Sequence, residues 1–367
     1  MRRGLYIHVP FCKQKCNYCD FSSFARQEKQ IDSYLTALAR EAVLYREIAC
    51  QMLYVGGGTP SLLQEHQIYR LAKIIRKNFK PVSCFEESTF EANPESLTSE
   101  KIAVLRDIGF NRLSMGLQSF HDEELKLLGR VHTASQFVTA YKAARIGGFS
   151  NINVDLIAGL PKQSLEQFLE SVQQLVALRP EHVSVYGLQI EEGTPFFEQG
   201  IVCDQPLMRS MLEETATVLE NAGYHHYEIS NFALPGYEAK HNSHYWKNGE
   251  YLGLGCAAAS YRQGVRRQNT TRLNDYICCM ENGKTPIVFS EKLSGKAQVG
   301  ETLMLAFRQL DGVELTPEQE QLFGKEIEKH LKKGLLTRVD KKVKLSKEGL
   351  YLANEVFRSF VAPFEDV

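Results

Sequence analysis

The chain has 367 residues, with 43 Lys and Arg against 44 Asp and Glu, a net charge of −1 and 43% hydrophobic residues. Charge near zero leaves no electrostatic footprint for nucleic acid or an anionic membrane, and no apolar run reaches the ~18 residues of a membrane-spanning helix. A chain this long buries roughly 75% of its unfolded surface without disulfide staples, and its N-terminus lacks the apolar stretch of a secretory signal, so a cytoplasmic protein with reduced thiols is expected.

The first apolar, β-branched run, Leu5–Val9, reads as a strand and leads into Cys12, Cys16 and Cys19, a C-x3-C-x2-C loop. Ile31, Leu35, Leu38 and Ala42 then fall at helical spacing. Met52–Val55 is a second strand, running into Gly56, Gly57, Gly58, Thr59 and Pro60, and Ile68, Leu71 and Ile75 mark a second helix. Cys84–Glu91 reads as a third strand, closed by Glu91, Asn93 and Pro94. Arg112–Leu117 is a fourth, followed by Gln118 and later by Arg130. Ile152–Ile157, a fifth, contains Asp155 and precedes Gly159, Leu160 and Pro161. Helical spacing returns at Leu165, Phe168, Leu169 and Val172. It is followed by a strand at His182–Leu188, a helix through Leu212, Ala216 and Leu219, and a strand at His225–Ile229. Strands alternating with helices every ~25–35 residues predict right-handed crossovers and a full or partial β/α barrel.

The alternation breaks near Phe232, which places the end of the barrel domain at about residue 235. Residues 236–290 read as a connecting segment containing His241, Asn242, Ser243, His244, Tyr245 and Trp246. Residues 291–367 read as a small α+β domain: a helix over Glu301–Leu310, another over Ile327–Leu336, a lysine-rich hairpin and a last helix through Phe357. That order is winged-helix-like. The hairpin lysines invite a nucleic-acid reading, but lysines commonly protect a solvated sheet edge, and no nucleic-acid partner is expected.

The unusual residues cluster at strand ends, where the loops of a β/α barrel converge on a binding site. Three closely spaced thiolates can hold an iron–sulfur cluster or zinc. A structural zinc site wants four ligands. His8 is the nearest candidate, but it alternates with Ile7 and Val9, and its side chain is expected to point away from the loop. Three cysteines on a [4Fe–4S] cluster leave one iron open for a ligand. The other six cysteines read as ordinary apolar residues.

With this loop and rim, the chain resembles the radical S-adenosylmethionine superfamily. Within it, the resemblance to the coproporphyrinogen-oxidase-like group runs from Tyr6 nearly to the C-terminus. It implies a partial (β/α)6-type radical SAM barrel with a smaller C-terminal winged-helix-like α+β domain. It also implies a [4Fe–4S] cluster on Cys12, Cys16 and Cys19, with S-adenosylmethionine as cofactor. Gly57, Gly58 and Thr59 are implied to take the methionyl amino and carboxylate groups, and Tyr6 to contact the cofactor. Tyr18 flanks the cluster loop, while Glu91, Gln118, Arg130 and Asp155 line the pocket. The residue chemistry agrees. Glycine lets backbone approach a ligand closely, carboxylates accept from ribose or amino groups, an amide both donates and accepts, and a guanidinium forks onto a carboxylate. Singly, these residues have plainer readings: a solvated rim carboxylate, a capping amide, a surface arginine, a glycine turn.

Two features separate the chain from the coproporphyrinogen III-oxidising members of the group. Phe21 stands where they carry a further cysteine, and only five residues precede Tyr6, so the arm they extend over the site is not expected. His241 to Trp246 matches the HNxxYW motif of the HemW-like haem chaperones. Imidazole ligates haem iron and aromatic rings pack on a porphyrin face, which makes His241 the candidate haem ligand. His225, His226 and His244 compete with it. The plainer reading has His241 and Asn242 capping a turn and Tyr245 and Trp246 packing an interface. The resemblance implies a haem chaperone that delivers haem to acceptors such as respiratory enzymes, with peripheral contact with membrane-bound acceptors. The runner-up is a radical enzyme acting on a porphyrin, such as an oxygen-independent coproporphyrinogen III oxidase.

Overall fold

The computed structural model describes residues 2–363. Six strands, Gly4–Val9, Met52–Gly57, Glu87–Ala92, Arg112–Gln118, Ile152–Ala158 and His182–Gly187, lie side by side in chain order, all parallel. Helices make the crossovers, among them Ile31–Leu44, Glu65–Asn78, Ser99–Ile108, Ala134–Ile146 and Leu165–Leu178. Several start on side-chain caps. Thr133 and Ser164 each accept from the backbone N–H three residues on, while a glutamine reaches back, which satisfies otherwise orphaned donors.

One face of each strand is apolar and meets the helices. Leu5, Ile7 and Val9, then Leu53 and Val55, then Leu113, Met115 and Leu117 pack with Leu35, Leu38, Ile68, Leu71, Phe137 and Phe168 in one large core. The other face is polar and turns inward: Tyr54 meets Glu91, and Asn153 meets Ser114, Asp155, His182 and Ser184. A closed β/α barrel fills its interior with apolar side chains; this open one keeps a lumen lined by hydrogen-bonding groups.

After the sixth strand the parallel alternation stops. The expected strand at His225–Ile229 forms as His225–Glu228, but it lies at the sheet edge. Asn231–Ala233 folds back between it and the sixth strand, antiparallel to both.

Residues 236–290 are built into the barrel sheet. Tyr251–Leu254 pairs parallel with the first strand, Leu5 opposite Leu252, and Ala259–Arg262, Val265–Asn269 and Ile287–Lys292 extend the sheet to twelve strands. Glu41, buried on the first helix, fastens this addition: its carboxylate accepts from the Gly255 N–H at 2.7 Å, Asn269 Nδ2 at 2.6 Å and the Tyr276 hydroxyl at 2.6 Å.

The C-terminal unit has its own core, with Leu303, Phe307, Phe323, Ile327, Val343, Val356 and Phe360. Its helices run Gly295–Ala306 and Pro317–Lys332, the second starting about ten residues before the expected Ile327 because Thr316 and Gln319 form a capping box. A three-stranded sheet, Val313–Glu314, Leu336–Val339 and Lys342–Leu345, and the short helices Lys347–Tyr351 and Ala353–Arg358 complete a winged-helix-like order. Backbone hydrogen bonds from Ile229 to Arg308 and from Leu310 to Tyr227 join it to the barrel edge. Among the described residues no helix is long and apolar enough to cross a membrane.

Candidate functional site

The cysteine loop rises from the C-terminal end of the first strand. Its base is closed by a short parallel ladder, Phe11–Cys12 with Phe24–Ala25. Asn17 holds its tip: its backbone N–H and Nδ2 donate to the Leu128 and Leu127 carbonyls at 2.9 and 2.8 Å, and its carbonyl accepts from Phe196. All nine cysteines are free thiols. Burial pushes the Cys19 thiol up to about 11 and raises Cys12 as well; both must lose a proton to ligate iron. Polar groups stand ready beside the sulfurs, Thr59 Oγ1 at 3.6 Å from Cys12 Sγ and Arg130 Nη1 at 3.7 Å from Cys16 Sγ. Among the described residues no three His, Cys, Asp or Glu side chains are arranged to hold a single metal ion. The thiolates of an iron–sulfur cluster bind separate irons, so they need not converge on one point.

His8 corrects an expectation. It points toward the loop, with Nε2 at 2.8 Å from the Ser22 carbonyl and Nδ1 at 2.8 Å from the Tyr6 hydroxyl. Burial pulls its pKa down, so a neutral imidazole buttresses the cluster loop, with both nitrogens engaged.

The glycine turn lies directly against that loop. A side chain on Gly58 would meet the Phe11 carbonyl oxygen at 2.7 Å and Cys12 Sγ at 3.0 Å, and Gly57 has φ +117°. The N–H of Gly57 donates to Glu91 Oε2 at 3.0 Å, that of Gly58 to the Val9 carbonyl at 2.9 Å and that of Thr59 to the Phe11 carbonyl at 2.7 Å. The turn's own backbone donors are therefore used. Its carbonyls suit an amino group, whereas the expected contact with a carboxylate has no free N–H there.

Arg130 carries an unused donor. Its Nη2 donates to Asn93 Oδ1 at 2.7 Å and to the Gly116 carbonyl at 2.8 Å, and its Nε is buried without a partner. Asn93 passes the connection on, donating from Nδ2 to Thr59 Oγ1 at 3.0 Å. In the sequence Asn93 marks only the close of the third strand, since nothing local links it to Arg130.

Gln118, at φ +76° on a strand irregularity, also has a buried unpartnered oxygen, Oε1. Glu91 accepts from the Tyr54 hydroxyl at 2.6 Å, and burial pushes it up to about 7. Asp155 accepts from Asn153 Nδ2 at 2.8 Å and is likewise raised, first by burial. Tyr6 packs near Tyr54, ring centres 6.2 Å apart, and Tyr18 sits against Leu128, Leu160 and Phe196. The structure thus gathers Cys12, Cys16, Cys19, Gly57, Gly58, Thr59, Glu91, Gln118, Arg130 and Asp155 around one end of the lumen. The orphaned amide oxygen and guanidinium N–H fit a polar ligand beside a thiolate-held cluster.

His241 lies elsewhere. The motif forms the helix Lys240–Trp246, whose first N–H groups donate to the Glu87 carboxylate at 2.9 Å. His241 is 2% exposed, reaches under Gly4 at the opposite end of the first strand, and meets the Tyr245 hydroxyl through Nε2 at 2.7 Å. Burial pushes it down to about 3, so it is neutral. Its Nδ1 is buried without a partner, so neither nitrogen is open to an external iron as the side chain is packed. His244 is held by the Glu250 carbonyl, and His226 stacks on Phe232.

The sequence pattern of the Radical SAM superfamily matches residues 6–175. The chain is similar to Heme chaperone HemW of Bacillus subtilis, 36% identical over 98% of this chain and 99% of that one. HemW of Escherichia coli is 40% identical over 70% and 69%. Among solved structures, coproporphyrinogen III oxidase (HemN) from Escherichia coli superposes with a TM-score of 0.85 at 26% identity, covering 98% of this chain and 90% of that one.

Proposed function

The chain belongs to the HemW family of the radical SAM superfamily, and on that premise we propose that it is a haem chaperone carrying a [4Fe–4S] cluster and S-adenosylmethionine. The observation that carries this reading is the extent of the similarity: it runs through barrel, motif helix and C-terminal unit together.

In this proposal Cys12, Cys16 and Cys19 hold the cluster. When bound, cluster and S-adenosylmethionine supply one-electron chemistry. The chain's own residues position the cofactor. Carbonyls of the 57–59 turn accept from the methionyl amino group, Arg130 takes the carboxylate through its free Nε–H, and Gln118, Glu91 and Asp155 take the remaining polar groups. Tyr6 acts through His8, which fixes the loop. Phe21, 65% exposed beside the cysteines, offers an aromatic surface and no further thiolate.

The haem it binds passes to acceptor proteins, respiratory enzymes among them, including membrane-bound acceptors met peripherally from the cytoplasm. His241 serves as iron ligand only if the 240–246 helix opens. The second reading, a radical enzyme acting on a porphyrinogen, is favoured by one observation, the superposition on coproporphyrinogen III oxidase. One sample decides between them. After anaerobic cluster reconstitution with reductant and S-adenosylmethionine, the protein is expected to bind haem and leave coproporphyrinogen III unchanged. Steady formation of protoporphyrinogen IX overturns the chaperone reading.

A further inference from the structure

Polar atoms without partners gather where the barrel edge meets the C-terminal unit. Arg308 lies over Trp246, its guanidinium carbon 4.4 Å from the ring centre and 5.8 Å from that of Phe357. Its Nε is buried without a partner, and so are Trp246 Nε1, Asn231 Oδ1 and Glu228 Oε2. Among the described residues no hydrogen bond or ion pair engages that guanidinium.

Such a charge is expensive to leave alone, because a half-buried guanidinium normally meets an acid or a carbonyl. The groups whose charge reaches it are Glu228 and Tyr186. Neither pairs with it. Glu228, 1% exposed, is turned to Asn231 Nδ2, and burial pushes it up to about 7.

Tyr186 links the site to the lumen. Tyr186 follows Ser184 by two residues and shares its inward face. It keeps 43% of its surface accessible, and the charges of Asp155, Glu228 and Glu91 all reach it. Tyr186 thus lies within electrostatic reach both of Asp155 and Glu91 on the rim and of Arg308.

We infer that Arg308, set over Trp246 with the unpartnered indole N–H close by, is the seat for a carboxylate of the ligand bound in the barrel lumen. The inference rests on the haem reading above, under which that carboxylate is a porphyrin propionate. A planar fork of donors matches a carboxylate bidentately, and a cation–π contact with the indole restrains the guanidinium before the ligand arrives.

The full chain is titrated with haemin and with haemin dimethyl ester, which keeps ring and iron but loses both propionate charges. The wild type is expected to prefer haemin. Arg308→Gln is expected to weaken haemin binding at least tenfold, leave the ester unchanged and erase the preference. Arg308→Lys keeps the charge without the fork, and falls between. S-Adenosylmethionine binding is expected to be the same in all three.

Equal haemin binding by wild type and Arg308→Gln overturns the seat and leaves the haem reading standing. A wild type that binds neither compound overturns both. Equal loss of haemin and ester with a lowered melting temperature marks Arg308 as a clip between domains and overturns the seat. Should Arg308→Gln fail to fold, the wild-type preference and its reduction in Arg308→Lys decide; a wild type indifferent to esterification refutes the inference without any variant.

Discussion

Glu91→Gln tests the cofactor pocket most sharply, because the substitution keeps shape and removes charge. Glu91 uses both oxygens, Oε1 toward the Tyr54 hydroxyl and Oε2 toward the Gly57 N–H. In the variant the amide oxygen can face the Gly57 N–H, which only donates. The amide nitrogen then faces the Tyr54 hydroxyl, which also accepts. The turn is therefore expected to hold. What is lost is a carboxylate facing a cationic ligand, worth about 1.5–3 kcal/mol for a charged hydrogen bond, or roughly a tenfold to hundredfold weaker Kd. The pH dependence supplies a second readout. Burial pushes Glu91 up to about 7, so below that value the free protein carries a neutral acid there and above it a carboxylate. A cationic ligand favours the carboxylate, so wild-type affinity is expected to rise from pH 6 to pH 8. The ligand's own titration is common to both proteins, so the ratio of the two dissociation constants isolates Glu91. Calorimetry on cluster-reconstituted protein measures it. A ratio near one at pH 8, or a ratio that does not change with pH, refutes the assignment of Glu91 to the pocket.

Serine at Cys12, Cys16 or Cys19 is expected to abolish the iron–sulfur absorption and the bound iron and sulfide; stoichiometric zinc in anaerobically prepared wild type, with neither iron nor sulfide, would defeat the cluster assignment. Gly58→Ala forces a methyl against the Phe11 carbonyl and Cys12 Sγ, an overpacking of about 1–3 kcal/mol. It is expected to lower both melting temperature and cluster content; full reconstitution would mean the loop has room to move. His241→Ala leaves the Tyr245 hydroxyl unpaired at the barrel base and should cost about 1–3 kcal/mol of stability, with the haem absorption band staying in place. A displaced band with stability unchanged would make His241 the iron ligand and require the motif helix to open.

Much of the barrel is legible in sequence because its strands are short apolar runs set between turn residues. The expected Met52–Val55 and Ile152–Ile157 differ from the observed strands by two residues and one at their ends. The third strand starts three residues later than expected, because Val82–Cys84 forms a 3-10 turn instead. The cluster loop is legible for a different reason, since three thiols at that spacing have little structural use in a chain that needs no disulfides. Long-range partners are what sequence conceals. Nothing in residues 251–254 announces that Leu252 pairs with Leu5, or that Glu41 holds Gly255, Asn269 and Tyr276. A strand contributed from far along the chain reads like a linker with apolar residues.

The HNxxYW motif shows how a recognised spacing leaves open what its side chains meet. His241 and Tyr245 are four residues apart, so a helix places them together, and they do meet, edge to face with ring centres 4.7 Å apart. Spacing cannot reveal that this face turns into the barrel base, where Glu87 caps the helix from the third strand. The other end of the same helix meets the C-terminal unit. Trp246, one residue past Tyr245, lies under the guanidinium of Arg308, which is 62 residues further on. The motif therefore divides along its length: the histidine end locks the helix to the sheet, and the tryptophan end lies under an unpaired cation where the barrel edge meets the C-terminal unit. A ligand with a flat ring and a carboxylate edge fits that division better than one seeking only an imidazole, and the haemin ester titration separates the two ends directly.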